Sequence, residues 1–175
     1  MTQQDDEIRA IAESVERGDD QYIVPEEMLV EPEPDKPVNK SLYDQIIHMR
    51  VGERIKLALK GNREARNILI RDPQRLIQHF VLQNPRITDE EIIAIARNRN
   101  LDTELLRKIG EHKYWPRNYQ VKLALVTNPK TPIATALHFV PSLMERDIRF
   151  IAKSRNISST IVSQARRVIM QREKK

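Results

Sequence analysis

Four histidines, His48, His79, His112 and His138, are the residues best suited to proton transfer or metal ligation near neutral pH. None lies three or four residues from another, so no helix face can present two of them to one ion. The acidic run Asp89-Glu90-Glu91 could supply carboxylates, but it opens a predicted helix, where negative charge offsets the macrodipole. The sequence has no glycine-rich phosphate loop and no Gly-x-Ser-x-Gly nucleophile elbow. Cysteine is absent from all 175 residues, which removes thiolate ligands, thiol nucleophiles and disulfides. These residue types and spacings predict no enzyme, no metal and no cofactor. They point to binding.

Two groups of residues carry that expectation. His112-Lys113-Tyr114-Trp115-Pro116-Arg117-Asn118-Tyr119 holds the single tryptophan, interleaved with cations. Lys113, Tyr114, Trp115 and Arg117 are candidates for partner contact, because Trp, Tyr and Arg dominate interaction hot spots and aromatic rings stack on bases. The competing reading makes Trp115 and Tyr119 filler for an irregular joint between helices. The second group lies on a helix predicted over 143–154. There Met144, Ile148, Ile151 and Ala152 form an inward stripe and Arg146, Arg149 and Lys153 share the opposite side. Arg63, Arg66, Arg71 and Arg75 form a further basic cluster across one predicted hairpin. Such faces either align into a positive surface or form an ordinary solvated exterior.

The net charge of +5 is unevenly distributed. Residues 1–36 carry twelve acidic and three basic residues, a net of −9, leaving +14 on residues 37–175. Charge asymmetry of this kind suggests an interaction tail or a polyanionic partner. Residues 1–39, proline-rich and acidic around 23–38, are expected to form a mostly disordered tail. Within it a short amphipathic helix over 6–17 would dock through Ile8, Ile11 and Val15 and stop at Gly18. The apolar runs are too short to span a membrane, and the acidic N-terminus lacks a secretory pattern, so a cytoplasmic location is expected.

These groups need a scaffold, and residues 40–175 supply a basic helical domain. Helices are predicted near 41–49, 53–60, 63–71, 74–83, 89–98, 102–110, 118–127, 132–140, 143–154 and 158–171, joined mainly by short connections. Asparagine recurs at helix ends: Asn62, Asn84, Asn100, Asn128 and Asn156. Asn62, Asn100 and Asn156 suit left-handed C-caps. Asn84 and Asn128 precede proline and must be extended, so their side-chain amides would do the hydrogen bonding. Thr88, Asp102, Thr131 and Ser158 are the expected N-caps of the helices that follow.

Asn128-Pro-Lys-Thr-Pro132, and more loosely Asn84-Pro-Arg-Ile-Thr88, resemble the Asn-Pro-x-Thr-Pro turn of leucine-rich-repeat-variant proteins, relatives of the HEAT and armadillo repeats. The resemblance covers roughly residues 53–170. It implies an all-α fold, a short α-solenoid of stacked helical hairpins, and a binding role without an activity. The function expected is a protein-interaction or adaptor module, with the acidic tail as second contact or regulator. The alternative is nucleic-acid or ribonucleoprotein binding by the basic helices, with the tail autoinhibitory.

Overall fold

The computed structural model describes residues 3–32 and 40–174, and every regular element among them is helical. Eleven α-helices follow in order: α1 (Gln3–Arg17), α2 (Lys40–His48), α3 (Val51–Lys60), α4 (Arg63–Leu69), α5 (Arg75–Gln83), α6 (Asp89–Arg97), α7 (Thr103–Glu111), α8 (Tyr119–Thr127), α9 (Ile133–Phe139), α10 (Glu145–Lys153) and α11 (Ser159–Glu173). The ten helices expected beyond residue 40 each lie within two residues of an observed one. The chain divides into two compact units, Met1–Ile87 and Thr88–Lys175. That boundary differs from the one expected at 39/40, because residues 3–32 fold with the first unit.

In the first unit α1 packs on α3 and α5. Ile8, Ala12 and Val15 are buried and Ile11 is half-buried, so the apolar stripe of this short helix is covered by its own chain. Gly18, at φ 79°, ends α1 in the left-handed conformation that glycine adopts without steric cost. The segment beyond it is also fixed, correcting the expectation of a disordered tail as far as residue 32. Val24 and Met28 are buried, and the Tyr22 ring lies where a side chain on Gly52 would have to be. Lys56 donates to Asp20 at 2.9 Å and to the Tyr22 carbonyl at 2.6 Å. Glu31 accepts from the buried guanidinium of Arg66 at 2.8 Å and from the Arg63 backbone N–H at 2.8 Å. The expected tail also included residues 33–39, which lie outside the described residues.

The asparagines at helix ends divide into two kinds. No non-glycine residue among the described ones has positive φ, so Asn62, Asn100 and Asn156 are not left-handed caps. Helices α5, α6 and α8 end instead in an extended residue, with ψ of 122° at Asn84, 116° at Asn98 and 121° at Asn128. Such a corner leaves the last carbonyls of the helix without intrahelical donors. Buried asparagines from a later turn meet them. Asn84 Nδ2 donates to the Ala58 and Gly61 carbonyls at the end of α3, at 3.0 and 3.1 Å. Asn128 Nδ2 does the same at the end of α6, reaching Ala96 at 2.7 Å and Asn98 at 3.0 Å. Asn62 donates to Glu27 and Val30 at 2.9 and 3.0 Å, while its Oδ1 caps α4 by accepting from Ala65. Asn100 and Asn156 are exposed.

N-capping follows the sequence in part. Thr88 and Glu91 form a capping box at α6, and Asp102 caps α7 by accepting from Glu104. Asn118 caps α8. Ser158 makes no side-chain cap bond, and Thr131 is buried with its hydroxyl unpaired, one residue before Pro132 begins α9 as N-cap.

In the second unit α6 packs on α8, α8 on α9, and α10 on α11. Its core includes Ile92, Leu105, Leu106, Ile109, Val121, Leu125, Ile148 and Ile151, all essentially sealed from solvent. Helix α7 approaches α9 closely at Gly110, where an added Cβ would lie 2.4 Å from Thr135 Cγ2.

Candidate functional site

Helix α10 is amphipathic, and its inward face is set by Ile148, Ile151 and Ala152 packing on α11. Residues 146, 149, 150 and 153 stand at the i, i+3, i+4, i+7 spacing that makes one helix face, and all four are exposed. Arg146, Arg149 and Lys153 thus surround Phe150, whose ring is 69% exposed. Sequence reasoning missed Phe150. Its signal was that it falls out of phase with the 148–151–152 stripe, so it has no place in the core. Met144, expected to point inward, is instead 58% exposed, because α10 starts at Glu145 and Met144 is its extended N-cap.

Two of the three cations on this face have neighbouring carboxylates. Arg149 pairs with Glu145 and, at 3.2 Å, with Glu173 of α11, and these bonds hold its guanidinium above the ordinary arginine pKa. Arg146 reaches Asp147 at 3.4 Å and is 88% exposed. Lys153 makes no ion pair among the described residues.

Tyr119, the first residue of α8, connects this helix to the aromatic connection. Its hydroxyl donates to Asp147 and accepts from the Met144 N–H at 3.1 Å. Burial, then the Asp147 carboxylate, raises the phenol pKa. The 112–119 residues therefore take different parts. Trp115 is half-buried and stacks on His112 with ring centroids 3.7 Å apart. Tyr114 is 57% exposed, with Lys113 Nζ 5.4 Å and Arg117 Cζ 5.1 Å from its ring centroid. Sequence-predicted contacts thus separate into an exposed set, Lys113, Tyr114 and Arg117, and a residue that packs the joint, Trp115.

His112 holds this joint through its acceptor nitrogen. Nδ1 accepts from the Tyr114 and Trp115 N–H groups at 3.3 Å each, so the proton of the neutral ring sits on Nε2. Burial lowers the His112 pKa from 6.5. A depressed pKa means the neutral form is favoured in the fold; its contribution is complete above pH 6.5 and is lost as pH falls through the lower folded value. The fluorescence of Trp115, the single tryptophan, is therefore expected to change in one step centred below pH 6.5. In the His112→Gln variant that step disappears. A midpoint above 6.5 contradicts this assignment.

The other predicted basic cluster keeps Arg63, Arg71 and Arg75 exposed but not its fourth member. Arg66 is 1% exposed and binds Glu31 and the Gly61 carbonyl. Arg107 lies between Glu104 and Glu111 on its own helix, and both carboxylates raise its pKa. Among the described residues no three His, Asp or Glu side chains converge to hold a metal ion, and no helix is long and apolar enough to cross a membrane.

The division of charge follows the two units. Residues 1–87 hold sixteen acidic and thirteen basic residues, a net of −3; residues 88–175 hold nine acidic and seventeen basic, a net of +8. Comparison with protein-family models, curated proteins and solved structures finds no match to this chain.

Proposed function

We propose that this chain is a non-enzymatic interaction module of the HEAT-like, leucine-rich-repeat-variant kind, acting in the cytoplasm and docking a protein partner on its second unit. One observation carries the reading: Phe150, 69% exposed, at the centre of Arg146, Arg149 and Lys153 on one face of α10. An exposed aromatic residue flanked by cations on one helix face is the composition of an interaction hot spot. The repeated use of a buried asparagine to close the end of an earlier helix supports the α-solenoid architecture.

Nucleic-acid binding is the second reading, supported by the net +8 of residues 88–175 and by Tyr114 between Lys113 and Arg117. It requires no autoinhibition by the acidic segment, since Asp20 and Glu31 are engaged by Lys56 and Arg66 of their own unit. The two carboxylates already on Arg149 favour the protein reading, because a phosphate there would have to displace them.

A photoreactive phenylalanine analogue placed at position 150 in the native cell tests both. A discrete adduct that protease removes and nuclease leaves is the expected result, absent when the analogue replaces Ser163 on α11. An adduct removed by nuclease favours the second reading. No adduct above the Ser163 control contradicts both.

A further inference from the structure

The first unit displays the chemical complement of the α10 face. Ile23 is 87% exposed and Val30 60% exposed, yet neither belongs to a loose segment. Ile23 sits between Tyr22, whose carbonyl is held by Lys56 at 2.6 Å, and the buried Val24. Val30 follows Leu29, whose carbonyl accepts from Arg86 at 2.8 Å, and its own carbonyl is held by Asn62 at 3.0 Å. The backbone is pinned on both sides, so these apolar side chains are presented outward by the fold. Between them lie Glu26 and Glu27, both exposed and without an ion pair among the described residues. A pinned segment with apolar knobs and exposed carboxylates faces solvent.

We propose that a second copy of this chain is a partner of the α10 face, with the Ile23–Val30 segment of one copy seated on α10 of the other. Ile23 packs on Phe150, and Glu26 and Glu27 pair with Arg146 and Lys153. Charge complementarity and matched apolar knobs select this occupant: the net −3 and +8 of the two units make unlike units attract and like units repel. The ordering cost is low, because both segments are already fixed. The inference rests on the reading of α10 as a docking face and names its occupant.

Sedimentation velocity of the full chain over a range of concentrations and salt tests it. Association that rises with concentration and weakens between low and high salt is expected. Phe150→Ala weakens it at least about tenfold. The pair Arg146→Glu with Lys153→Glu abolishes it, as does Glu26→Lys with Glu27→Lys, and the chain carrying all four substitutions associates again. Each variant alters exposed side chains, and unchanged circular dichroism confirms the fold. A monomer at every concentration overturns the inference, and so does association indifferent to these substitutions. If the chain is monomeric while position 150 still crosslinks a different protein, this inference falls and the docking face stands; with no crosslink, both fall.

Discussion

Deleting residues 1–32 is expected to unfold the first unit instead of unmasking a basic surface. Val15 and Met28 are fully buried and Ile8 nearly so, and large-to-small changes at such positions each cost about 2–5 kcal/mol. The deletion also strips Glu31 from Arg66, leaving a guanidinium at 1% exposure without that carboxylate, and removes both carbonyl acceptors of Asn62 Nδ2. Together these losses rival the total stability of a small domain, about 5–15 kcal/mol. Circular dichroism of the truncated chain should show lost helix and an earlier thermal transition. Full helicity beyond residue 40, with an unchanged midpoint, would mean the segment is a passenger. Acid should loosen the same contact. Lys56 holds the Asp20 carboxyl below its ordinary 3.8, so that contribution is complete above this value and disappears as pH falls below it through the folded pKa.

The second large effect concerns the buried asparagines. Asn84→Ala leaves the Ala58 carbonyl and the Arg86 N–H without these partners, and Asn128→Ala does so for the Ala96 and Asn98 carbonyls and the Lys130 N–H. A buried polar group left unpaired costs about 1–3 kcal/mol, so each substitution should cost about 2–4 kcal/mol in urea unfolding. Asp in place of Asn fits the space but offers no donors, and turns a carboxylate toward two carbonyls; it should be at least as damaging. Asn100→Ala and Asn156→Ala, at exposed turns, should stay within about 0.5 kcal/mol. Equal effects at all four sites would show that the buried amides do not secure the helix ends.

Helix positions were legible because they depend on local periodicity and turn chemistry. Asn84 and Asn128 were legible too, since the following proline dictates their backbone. Asn62 was not, because its partners at Glu27 and Val30 lie more than thirty residues away in a segment whose composition reads as disordered. The acidic segment was misread for the same reason. Its carboxylates look unfavourable to fold until Lys56 and Arg66 are brought to them, and nothing local to residues 19–31 announces those partners. On α10 the cations were visible by spacing, whereas Phe150 was overlooked because the periodicity that leaves it out of the core stripe assigns it no other role.

The central claim is that the acidic segment is a folded part of the first unit. Amide hydrogen exchange on the intact chain tests it most directly. Residues 8–15 are predicted to exchange as slowly as α3, with the Met28 and Asn62 amides also protected, the latter by its bond to the Met28 carbonyl at 2.7 Å. Rapid exchange throughout 3–32 beside a protected α3 would contradict the claim.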